Sequence, residues 1–546
     1  MTRTNAGEAS AYTLLASLLP EPGPSRSRLQ RWLPTSGTLH TVTDPWLSGS
    51  PLLAAVLVGA RAFGQVILIN NPLSGALLLL ALVLQSGWLG LFAILGLAGA
   101  QGLAMALDWD PSTRLQGIHG FNGVLVGCAA ATFADLRGPA LVGWLLAVPL
   151  AGAASAALLE SLRRGWFCLP SLPPLTLPFC LLSWLLLGLG LGLEPAGLAL
   201  ASPPPPAAVP ATLPGLLEGI VHGFGQVFLC PGLPSGLLVV AAVAIASPLA
   251  ALLGAAGGLA AALAALLLQA PWSEVVNGLA SYNGVLVAIA IGGIFYAPSR
   301  LSLPIALAGA AGSVPLARLL QVPLNSLGLP LLTSPFVLAT WLALLLVRQN
   351  LPALLPVAVH AILTPEEHRR RYRVALRMLG EFHRRLGTST PASLTPDLAA
   401  TAPPEDLERI GQLFRRLDRD GNGWLSIEEL RAGLAAAGDG GHQQASELLN
   451  RIARGMDRNG DGRLDREEVV ELVLRLQRLR QGRERLLTYL LPSDADGDGR
   501  LDRAELARLL RGIGLAPLQA YEEQVLFGPQ GSALTWGEFV DRLLLS

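Results

Sequence analysis

Apolar residues fill the middle of this 546-residue chain, and most of the charged residues follow them. Only 14 of the 78 charged residues fall at positions 62–348, whereas 56 fall at positions 349–546. A helix needs about 20 predominantly apolar residues to cross a bilayer. The division therefore predicts a polytopic membrane domain followed by a soluble domain.

Apolar segments divide the membrane region into two series of six. Several are shorter than a full span, notably 121–134 and 282–296, which occupy matching places in the two series. Short, interrupted segments at matching places are typical of broken or re-entrant helices beside a transport site. If one segment per series is re-entrant, each series crosses five times, and the second series is inverted relative to the first. The segments are 52–69, 73–87, 88–106, 121–134, 139–159 and 174–193, then 213–230, 235–248, 249–269, 282–296, 303–320 and 331–348.

The two series are copies of one unit, because their motifs recur in the same order. Three motifs return 161 positions later, and a Leu-Thr-x-Pro-Phe motif at position 175 returns 157 positions later, at position 332. Membrane repeats of this kind place a permeation site at their interface. The three pairs are Gly64-Gln65-Val66 with Gly225-Gln226-Val227, Ser74-Gly75 with Ser235-Gly236, and Asn122-Gly123-Val124-Leu125-Val126 with Asn283-Gly284-Val285-Leu286-Val287.

Three segments of the charged tail match the twelve-residue EF-hand loop. Calcium takes six to eight oxygen ligands, which this loop supplies at positions 1, 3, 5, 7, 9 and 12, and Gly at position 6 permits its sharp turn. Position 7 contributes its backbone carbonyl, so any residue type fits there. The predicted ligands are Asp418, Asp420, Asn422, Trp424, Ser426 and Glu429 in the first loop, Asp457, Asn459, Asp461, Arg463, Asp465 and Glu468 in the second, and Asp494, Asp496, Asp498, Arg500, Asp502 and Glu505 in the third.

The regular spacing of these loops along the chain predicts a fourth loop near Phe527. Leu534, Thr535 and Glu538 fit its later positions, but the early acidic ligands are missing. We therefore predict a degenerate fourth hand that pairs structurally with the third. Leu425, Leu464 and Leu501 at position 8 fit the short strands that join two loops. The predicted cofactor is calcium.

The chain thus divides into four predicted parts. They are an N-terminal polar segment (1–51), the membrane domain (52–348, with repeats at about 52–194 and 213–348), a basic amphipathic helix with its linker (349–405), and the EF-hand domain (406–546). The N-terminal segment lacks the pattern of a signal peptide. The four cysteines have no metal-binding spacing, so we expect buried, inert side chains.

Several motifs of the membrane domain resemble those of urea transporters. They are Gly64-Gln65-Val66 with Asn70-Asn71-Pro72-Leu73-Ser74-Gly75, Gly120-Phe121-Asn122-Gly123, the two Thr-x-Pro-Phe stretches, and Ser281-Tyr282-Asn283-Gly284. The resemblance covers about residues 52–348 and not the tail. It implies an all-α fold of about ten spans in two inverted halves with two re-entrant helices, one pore per subunit, and a homotrimer.

The same resemblance implies roles for ten residues along a flat slot fitted to urea. Gln65 and Gln226 would stand at its two ends, and Thr176 and Thr333 would mark its centre. Tyr282 stands where Phe is usual, and Leu68 stands where an aromatic residue is common. The segment Cys230-Pro231-Gly232 departs from the family's Asn-Pro pattern at the second helix break. The apolar walls would be Phe121, Leu125, Val227, Tyr282 and Leu286.

Physical chemistry supports a slot of this kind. Urea is neutral and flat, with four N–H donors and one carbonyl, so its pore needs acceptors along one edge and apolar walls. None of the repeated motifs carries a charge of the kind that marks ion coupling. We therefore predict passive, channel-like transport of urea, with ammonia, water or amide analogues as alternative solutes. A non-transporting calcium-sensing scaffold is a further alternative. We expect no enzyme activity, because the Ser-Gly motif occurs twice without a matching His pair.

An Arg-rich helix is predicted after Thr364-Pro365-Glu366-Glu367, which is a typical helix start. Basic residues after the last span place the tail on the cytoplasmic side of a plasma or bacterial inner membrane. Basic amphipathic helices are targets of calcium sensors and also bind membrane lipids. The sequence therefore suggests that calcium modulates the pore through helix 366–386. The alternative is that this helix lies on lipid and the hands act as calcium buffers. No nucleic-acid partner is expected.

Overall fold

The computed structural model of the chain contains two compact units, one within residues 26–372 and one within residues 373–546. Both are built from α-helices, and the second also contains short strands. The predicted all-α fold is therefore confirmed. The described residues are 35–47, 49–166, 172–192, 199–201, 212–350, 363–388, 404–418, 420–426, 428–429, 463–471, 473–474, 490, 499–512, 515–527 and 533–545.

Each apolar segment predicted in the first repeat contains a helix. Within the described residues, a short helix also lies before the first apolar segment, in the polar N-terminal region. The helices are α1 (His40–Leu47), α2 (Pro51–Gln65), α3 (Pro72–Gln85), α4 (Gly87–Ala106), α5 (Pro111–Leu115), α6 (Phe121–Phe133), α7 (Gly138–Ser161), which continues as a π-helical turn (Leu162–Trp166), and α8 (Leu177–Gly192).

The second repeat has the same series of helices. They are α9 (Leu213–Gln226), α10 (Leu233–Ala246), α11 (Pro248–Leu267), α12 (Trp272–Val276), α13 (Tyr282–Ile289), which continues as a π-helix (Ala290–Ile294), α14 (Ser302–Ser326) and α15 (Ser334–Asn350). Among the residues that the structure describes, four helices are long and apolar enough to cross a membrane: α4, α7, α11 and α14. The same described residues contain seven shorter apolar helices. The number and apolar character of these helices are those of a multi-pass membrane protein.

Helix starts follow the local chemistry of the sequence. Proline occupies the first turn of α2, α3, α9 and α11, where its missing N–H has no intrahelical partner to lose. Asn71, Thr212 and Ser247 cap α3, α9 and α11 by accepting a backbone N–H through their side-chain oxygens. Such caps satisfy donors that no water could reach inside a membrane.

Small residues bring the helices of each repeat close together. A Cβ atom built on Gly96 of α4 would lie 2.0 Å from the carbonyl oxygen of Gly123 in α6. The equivalent pair in the second repeat is Gly257 of α11 with Gly284 of α13, where that distance is 2.4 Å. Membrane helices gain little from hydrophobicity against lipid, so they associate through close backbone packing of this kind.

The second unit contains paired EF-hand elements. Strands β1 (Trp424–Ser426) and β2 (Arg463–Asp465) pair antiparallel, and so do β3 (Arg500–Asp502) and β4 (Ala533–Thr535). Its helices include α17 (Pro404–Leu417), α18 (Arg503–Gly512), α19 (Ala520–Phe527) and α20 (Trp536–Leu545). Helix α16 (Pro365–Thr388) contributes residues up to Tyr372 to the first unit and its remainder to the second.

Candidate functional site

The two glutamines predicted for the ends of the slot have the same environment. Gln65 is the last residue of α2, and its amide nitrogen donates to the carbonyl of Gln116 at 3.0 Å. Gln226 is the last residue of α9, and its amide nitrogen donates to the carbonyl of Asn277 at 2.9 Å. Each amide is therefore held in one orientation by the residue that follows a short helix, α5 or α12.

Both helices that carry these glutamines end through a left-handed leucine. Leu68 has φ of 62° and Leu229 has φ of 59°. The carbonyl of Gly64 accepts from the N–H of Ile69 at 3.0 Å, and the carbonyl of Gly225 accepts from that of Cys230 at 3.0 Å. A residue in the left-handed conformation commonly follows the end of a helix, and that residue is usually glycine. Two leucines in this conformation each cost about 1 kcal/mol or more.

At the interface of the two repeats, Thr176 and Thr333 contact each other directly. Their hydroxyl oxygens lie 2.6 Å apart, and both residues are buried. The thiol of Cys180 lies 3.5 Å from the Thr333 hydroxyl. The two residues predicted for the centre of the slot, one from each repeat, are therefore brought together.

Reciprocal hydrogen bonds surround this centre. The indole N–H of Trp184 donates to the carbonyl of Pro330, and the indole N–H of Trp341 donates to the carbonyl of Pro173, each at 2.8 Å. Trp341 lies 157 positions after Trp184, and Pro330 lies 157 positions after Pro173. The two bonds are therefore equivalent, with the roles of the repeats exchanged. Contacts that are exchanged in this way relate two bodies by a two-fold axis. The repeats therefore meet with approximate two-fold symmetry at Thr176 and Thr333.

The two threonines follow a second pair of left-handed leucines. Leu175 has φ of 52° and Leu332 has φ of 50°. The sequence gives no cue for this conformation, because Leu is not a residue type that favours it. Only the duplication of the Leu-Thr-x-Pro-Phe motif indicated these positions. Their backbone carbonyls are the polar groups that sequence reasoning missed.

The predicted apolar walls are buried around the centre. Leu125, Leu286 and Val227 are almost fully buried, whereas Phe121 and Tyr282 are partly buried. The asparagines that follow these aromatic residues, Asn122 and Asn283, accept the backbone N–H of Phe179 and Phe336 at 3.1 Å. Each re-entrant candidate, α6 or α13, is thereby fixed to the start of α8 or α15.

One difference separates the two halves of the centre. The Tyr282 hydroxyl donates to the carbonyl of Leu332 at 2.5 Å. Phe121 stands at the corresponding position of the first repeat and has no hydroxyl. The carbonyl of Leu175 instead accepts from the amide of Asn122 at a longer 3.4 Å.

A cavity of about 270 Å³ lies beside the predicted pore residues of the second repeat. Four of the ten predicted pore residues line it: Gln226, Val227, Tyr282 and Thr333. Among the residues that the structure describes, the other six do not line this cavity. Those six are Gln65, Leu68, Phe121, Leu125, Thr176 and Leu286.

The second helix break is present despite its altered sequence. In the first repeat, Asn71 caps α3 by accepting the backbone N–H of Ser74 at 3.1 Å. The equivalent residue, Gly232, has no capping side chain, and its own N–H donates to the Gln85 side chain at 3.0 Å. Helix α10 begins at Leu233, directly after it. A residue from the first repeat therefore helps to fix the break in the second.

The calcium-binding loops pair through position 8, as predicted. Leu425 is opposite Leu464 in the β1–β2 pair, and Leu501 is opposite Leu534 in the β3–β4 pair. The degenerate fourth loop therefore pairs with the third. At position 7, the Arg463 guanidinium lies over the Trp424 ring at 4.6 Å, which is possible because position 7 binds through its backbone.

The first loop brings its acidic ligands together. Carboxylate oxygens of Asp418, Asp420 and Glu429 lie within 4.8 Å of one another. Gly423 at position 6 has φ of 83°, and its N–H donates to Asp418 at 3.1 Å. This donor set suits a hard cation such as calcium. Six predicted ligands of the other two loops lie outside the described residues: Asp457, Asn459, Asp461, Asp494, Asp496 and Asp498.

All four hands close with the same capping box. In each, the backbone N–H of the position-12 Glu donates to the position-9 side chain at 2.7–3.1 Å. The position-9 N–H donates back to the Glu carboxylate at 2.9–3.3 Å. This reciprocal pair starts the exit helix. The fourth hand keeps it, which explains why Glu538 is present without the acidic ligands. The pairs are Ser426 with Glu429, Asp465 with Glu468, Asp502 with Glu505, and Thr535 with Glu538.

Comparison with known proteins identifies the membrane domain. The sequence model of the family described as "Urea transporter" matches residues 56–348. Urea transporter 1 of Ovis aries is 31% identical over 342 residues, which cover 59% of this chain and 85% of that protein. The chain belongs to the urea transporter family. The same protein of Rattus norvegicus is also 31% identical, over 336 residues, with the same coverage of both chains.

Comparisons also identify the tail of this urea transporter family member. The model of an EF-hand domain pair matches residues 407–474, and that of an EF hand matches residues 494–510. Calcium-binding protein 7 of Homo sapiens is 33% identical over 85 residues, which cover 16% of this chain and 38% of that protein. This urea transporter therefore carries a calcium-binding EF-hand domain.

The cysteines of the transporter domain are buried, as expected. Cys128, Cys180 and Cys230 are free thiols in the core, and Cys168 lies outside the described residues. Cys180 also contacts Thr333, so one of these thiols lies beside the Thr176–Thr333 pair.

Proposed function

We propose that this protein is a passive, channel-like pathway for urea. The observation that carries the proposal is the repeat-related polar set, in which Gln65 and Gln226 are oriented by equivalent carbonyls and Thr176 contacts Thr333 across the repeats. We place the glutamines at the ends of the pathway and the threonines at its centre. These groups are neutral, so they can hydrogen-bond a neutral solute without coupling its movement to an ion.

The chemistry of the set favours urea over other small solutes. Urea presents N–H donors along its edges and apolar faces above and below. Amide oxygens, hydroxyls and backbone carbonyls can accept these N–H groups in turn. The side chains of Leu125, Leu286 and Val227 are apolar and suit the two apolar faces of urea. Water and ammonia are smaller and gain less from flat apolar walls.

Stopped-flow light scattering on proteoliposomes tests this function. Urea, ammonia and water permeabilities are measured with wild-type protein, with a Gln226→Leu variant and with protein-free liposomes. We expect a selective increase in urea permeability that Gln226→Leu strongly reduces. Equal urea permeability with and without wild-type protein would refute the proposal. Water or ammonia flux without urea flux would assign a different solute.

The proposal includes an arrangement in the membrane. We place the protein in a plasma (bacterial inner) membrane as a homotrimer of inverted repeats, surrounded by membrane lipids, with the EF-hand tail in the cytoplasm. The apolar side chains of Leu84, Leu150 and Leu267, which are 61–84% exposed in the single chain, suit contact with lipid or with a second copy.

We further propose that calcium modulates the pathway through α16. At its start, the Glu366 carboxylate accepts the Ser247 hydroxyl at 2.7 Å and the backbone N–H of Leu249 at 2.8 Å. Glu366 therefore caps α11 from outside it. Pro365 packs against the π-helix that extends α13, because a Cβ on Gly293 would lie 2.7 Å from its Cγ.

The last turns of α16 make contacts of a different kind within the second unit. The Phe382 ring meets the Phe539 ring edge-to-face, with centroids 6.0 Å apart. His383 donates from its imidazole ring to the carbonyl of Ala516 at 2.8 Å. Phe539 lies in the exit helix of the fourth hand, whose strand pairs with that of the third. Calcium sensors change the apolar surface that their helices offer, so calcium at the third hand would alter this contact.

Full-length protein with calcium ligands removed tests the modulation. Urea flux is measured with calcium and with chelator on the tail side, for wild type and for the Glu429→Gln, Glu468→Gln, Glu505→Gln triple variant. We expect a calcium-dependent change in flux that the triple variant loses. Wild-type flux that is equal in the two conditions would leave the hands with a buffering or stabilising role.

A further inference from the structure

An ion pair lines the cavity that leads to Gln226. Glu274 belongs to α12 and Arg318 belongs to α14, and both face the same cavity as Gln226 and Tyr282. The Arg318 Nη2 lies 2.9 Å from Glu274 Oε2, and its Nη1 lies 3.4 Å from Oε1. Gln321 also lines the cavity, and its side-chain oxygen accepts from Arg318 Nη1 at 3.2 Å.

The pair is accessible from the cavity. The side chain of Arg318 is 35% exposed and that of Glu274 is 31% exposed. A guanidinium has five N–H donors and a carboxylate has about four acceptor positions. Two groups joined side by side therefore keep donors and acceptors for a third molecule.

The first repeat has no equivalent pair. The residue 161 positions before Glu274 is Thr113, and the residue 157 positions before Arg318 is Ser161. Symmetry of the repeats therefore does not require these charges. The first repeat places its charges differently, with Glu160 bound to Arg163 and Arg164 and beside His119. The Glu274–Arg318 pair is therefore a feature of the second half, which favours a role at that end of the pathway.

We propose that Glu274 and Arg318 form an outer binding site for a planar amide solute, which urea occupies before it reaches Gln226. This inference rests on the proposed function. Urea can donate two N–H groups to a carboxylate and accept from a guanidinium through its carbonyl. The pair has no net charge, so the site offers a neutral solute strong, charge-assisted hydrogen bonds without concentrating anions or cations. Gln321 also helps to hold the guanidinium, by accepting from its Nη1.

The consequence is a specific kinetic signature. A binding site at the mouth sets the urea concentration at which flux saturates, whereas the slot sets the maximal flux. Loss of hydrogen bonds to charged groups at a partly exposed site should raise the half-saturating concentration by about threefold to tenfold. Maximal flux should change by less than about twofold. Loss of packing between α12 and α14 alone would lower maximal flux and leave half-saturation unchanged.

Full-length wild type, Glu274→Gln, Arg318→Gln and Arg318→Lys are compared in proteoliposomes over a range of urea concentrations. Arg318→Lys keeps the charge but loses the planar fork, so we expect an intermediate shift. Arg114→Gln is the matched control, because Arg114 pairs with Asp108 at 3.3 Å beside the short helix α5 of the first repeat. It should leave half-saturation unchanged. Acetamide, which keeps one amide edge, should compete with urea in wild type and less in the two Gln variants.

The outcomes separate this inference from the function on which it rests. Wild-type urea flux with the same half-saturating concentration in all variants would overturn the outer site and leave the channel intact. A fall in maximal flux alone would also overturn it and assign a packing role to the pair. Wild-type flux no higher than in protein-free liposomes would overturn the channel and the outer site together. Thermal unfolding of each variant, measured on the same preparations, checks that its membrane domain is folded.

Discussion

At the scale of residues, the candidate pathway depends on polar groups that specific hydrogen bonds hold in place. Gln65 and Gln226 are oriented by backbone carbonyls at equivalent places, and Thr176 and Thr333 satisfy each other. Buried polar groups inside a membrane domain have no water to replace a lost partner. A change of one atom at these positions therefore changes what a solute meets.

Tyr282→Phe tests this at the point where the two repeats differ. Removing the hydroxyl frees the Leu332 carbonyl and makes the second half resemble the first. We expect higher urea permeability, by about twofold to fivefold, and a loss of stability of about 1 kcal/mol from the deleted hydrogen bond. Stopped-flow flux and thermal unfolding measure the two effects. The reverse change, Phe121→Tyr, is the control and should lower flux. Lower flux in Tyr282→Phe would show that the hydroxyl itself serves the solute.

At the scale of elements, helix ends decide the architecture. Left-handed leucines follow the ends of α2 and α9, and Asn71 caps the start of α3. Gly232, whose N–H donates to the Gln85 side chain, stands at the N-cap of α10. The start of α16 caps α11 through Glu366. These ends satisfy backbone groups that would otherwise be buried without partners.

Glu366→Gln should loosen the start of α16. The neutral amide accepts from Ser247 and Leu249 more weakly than the carboxylate, and it loses the favourable charge at a helix N-terminus, together worth about 1–2 kcal/mol. Hydrogen exchange at residues 248–252 should become faster. Glu367→Gln is the matched control, because Glu367 pairs with Arg370 and Arg371 of its own helix. Equal exchange rates in wild type and Glu366→Gln would show that this contact does not couple α16 to α11.

The same helix start should respond to acid through His368. Burial, aided by the nearby Arg371 charge, lowers the pKa of His368 to about 4, while Glu367 opposes the shift. An unfolded His titrates near 6.5, so below that pH the unfolded segment binds protons that the folded one does not. Stability is therefore complete above about pH 6.5 and falls as the pH drops toward 4, by at most about 1.4 kcal/mol per pH unit.

Hydrogen exchange of residues 365–372 between pH 7.5 and 5, corrected for the intrinsic rate, measures this loss. His368→Gln should flatten the dependence over that range. A dependence that survives in His368→Gln would assign the acid sensitivity to another group.

At the scale of the whole molecule, a urea transporter domain and a calcium-binding domain share one chain. The first supplies the candidate pathway and the second supplies three hands with ligand sets and one without. Helix α16 has contacts within each unit, at Glu366 in the first and at Phe382 in the second. This distribution is the physical basis for the proposed calcium response.

Glu505→Gln and Glu538→Gln distinguish ligand from scaffold in the paired third and fourth hands. Both residues stand at position 12 and both complete a capping box. Glu505→Gln should remove one calcium site in isothermal titration, because the bidentate carboxylate is lost. Glu538→Gln should leave the number of sites unchanged and lower stability by about 1 kcal/mol through its cap. Loss of a site in both variants would mean that the fourth hand binds calcium.

The sequence alone determined the helices, the repeats and the chemistry of the calcium loops. Apolar segments predicted helices within a few residues of their ends, because hydrophobic length and the Pro, Asn and Ser signals act locally. The EF-hand loops were recognisable because each ligand set is contained in twelve consecutive residues. The spacing of the loops likewise predicted that the degenerate fourth hand pairs with the third.

Tertiary structure alone decided which distant groups meet. The Thr176–Thr333 contact spans 157 positions, the Ser247–Glu366 contact 119, and the Glu274–Arg318 pair 44. Left-handed leucines are imposed by packing against the preference of the residue type. No local pattern encodes these features, because each depends on the geometry of helices that pack from separate parts of the chain.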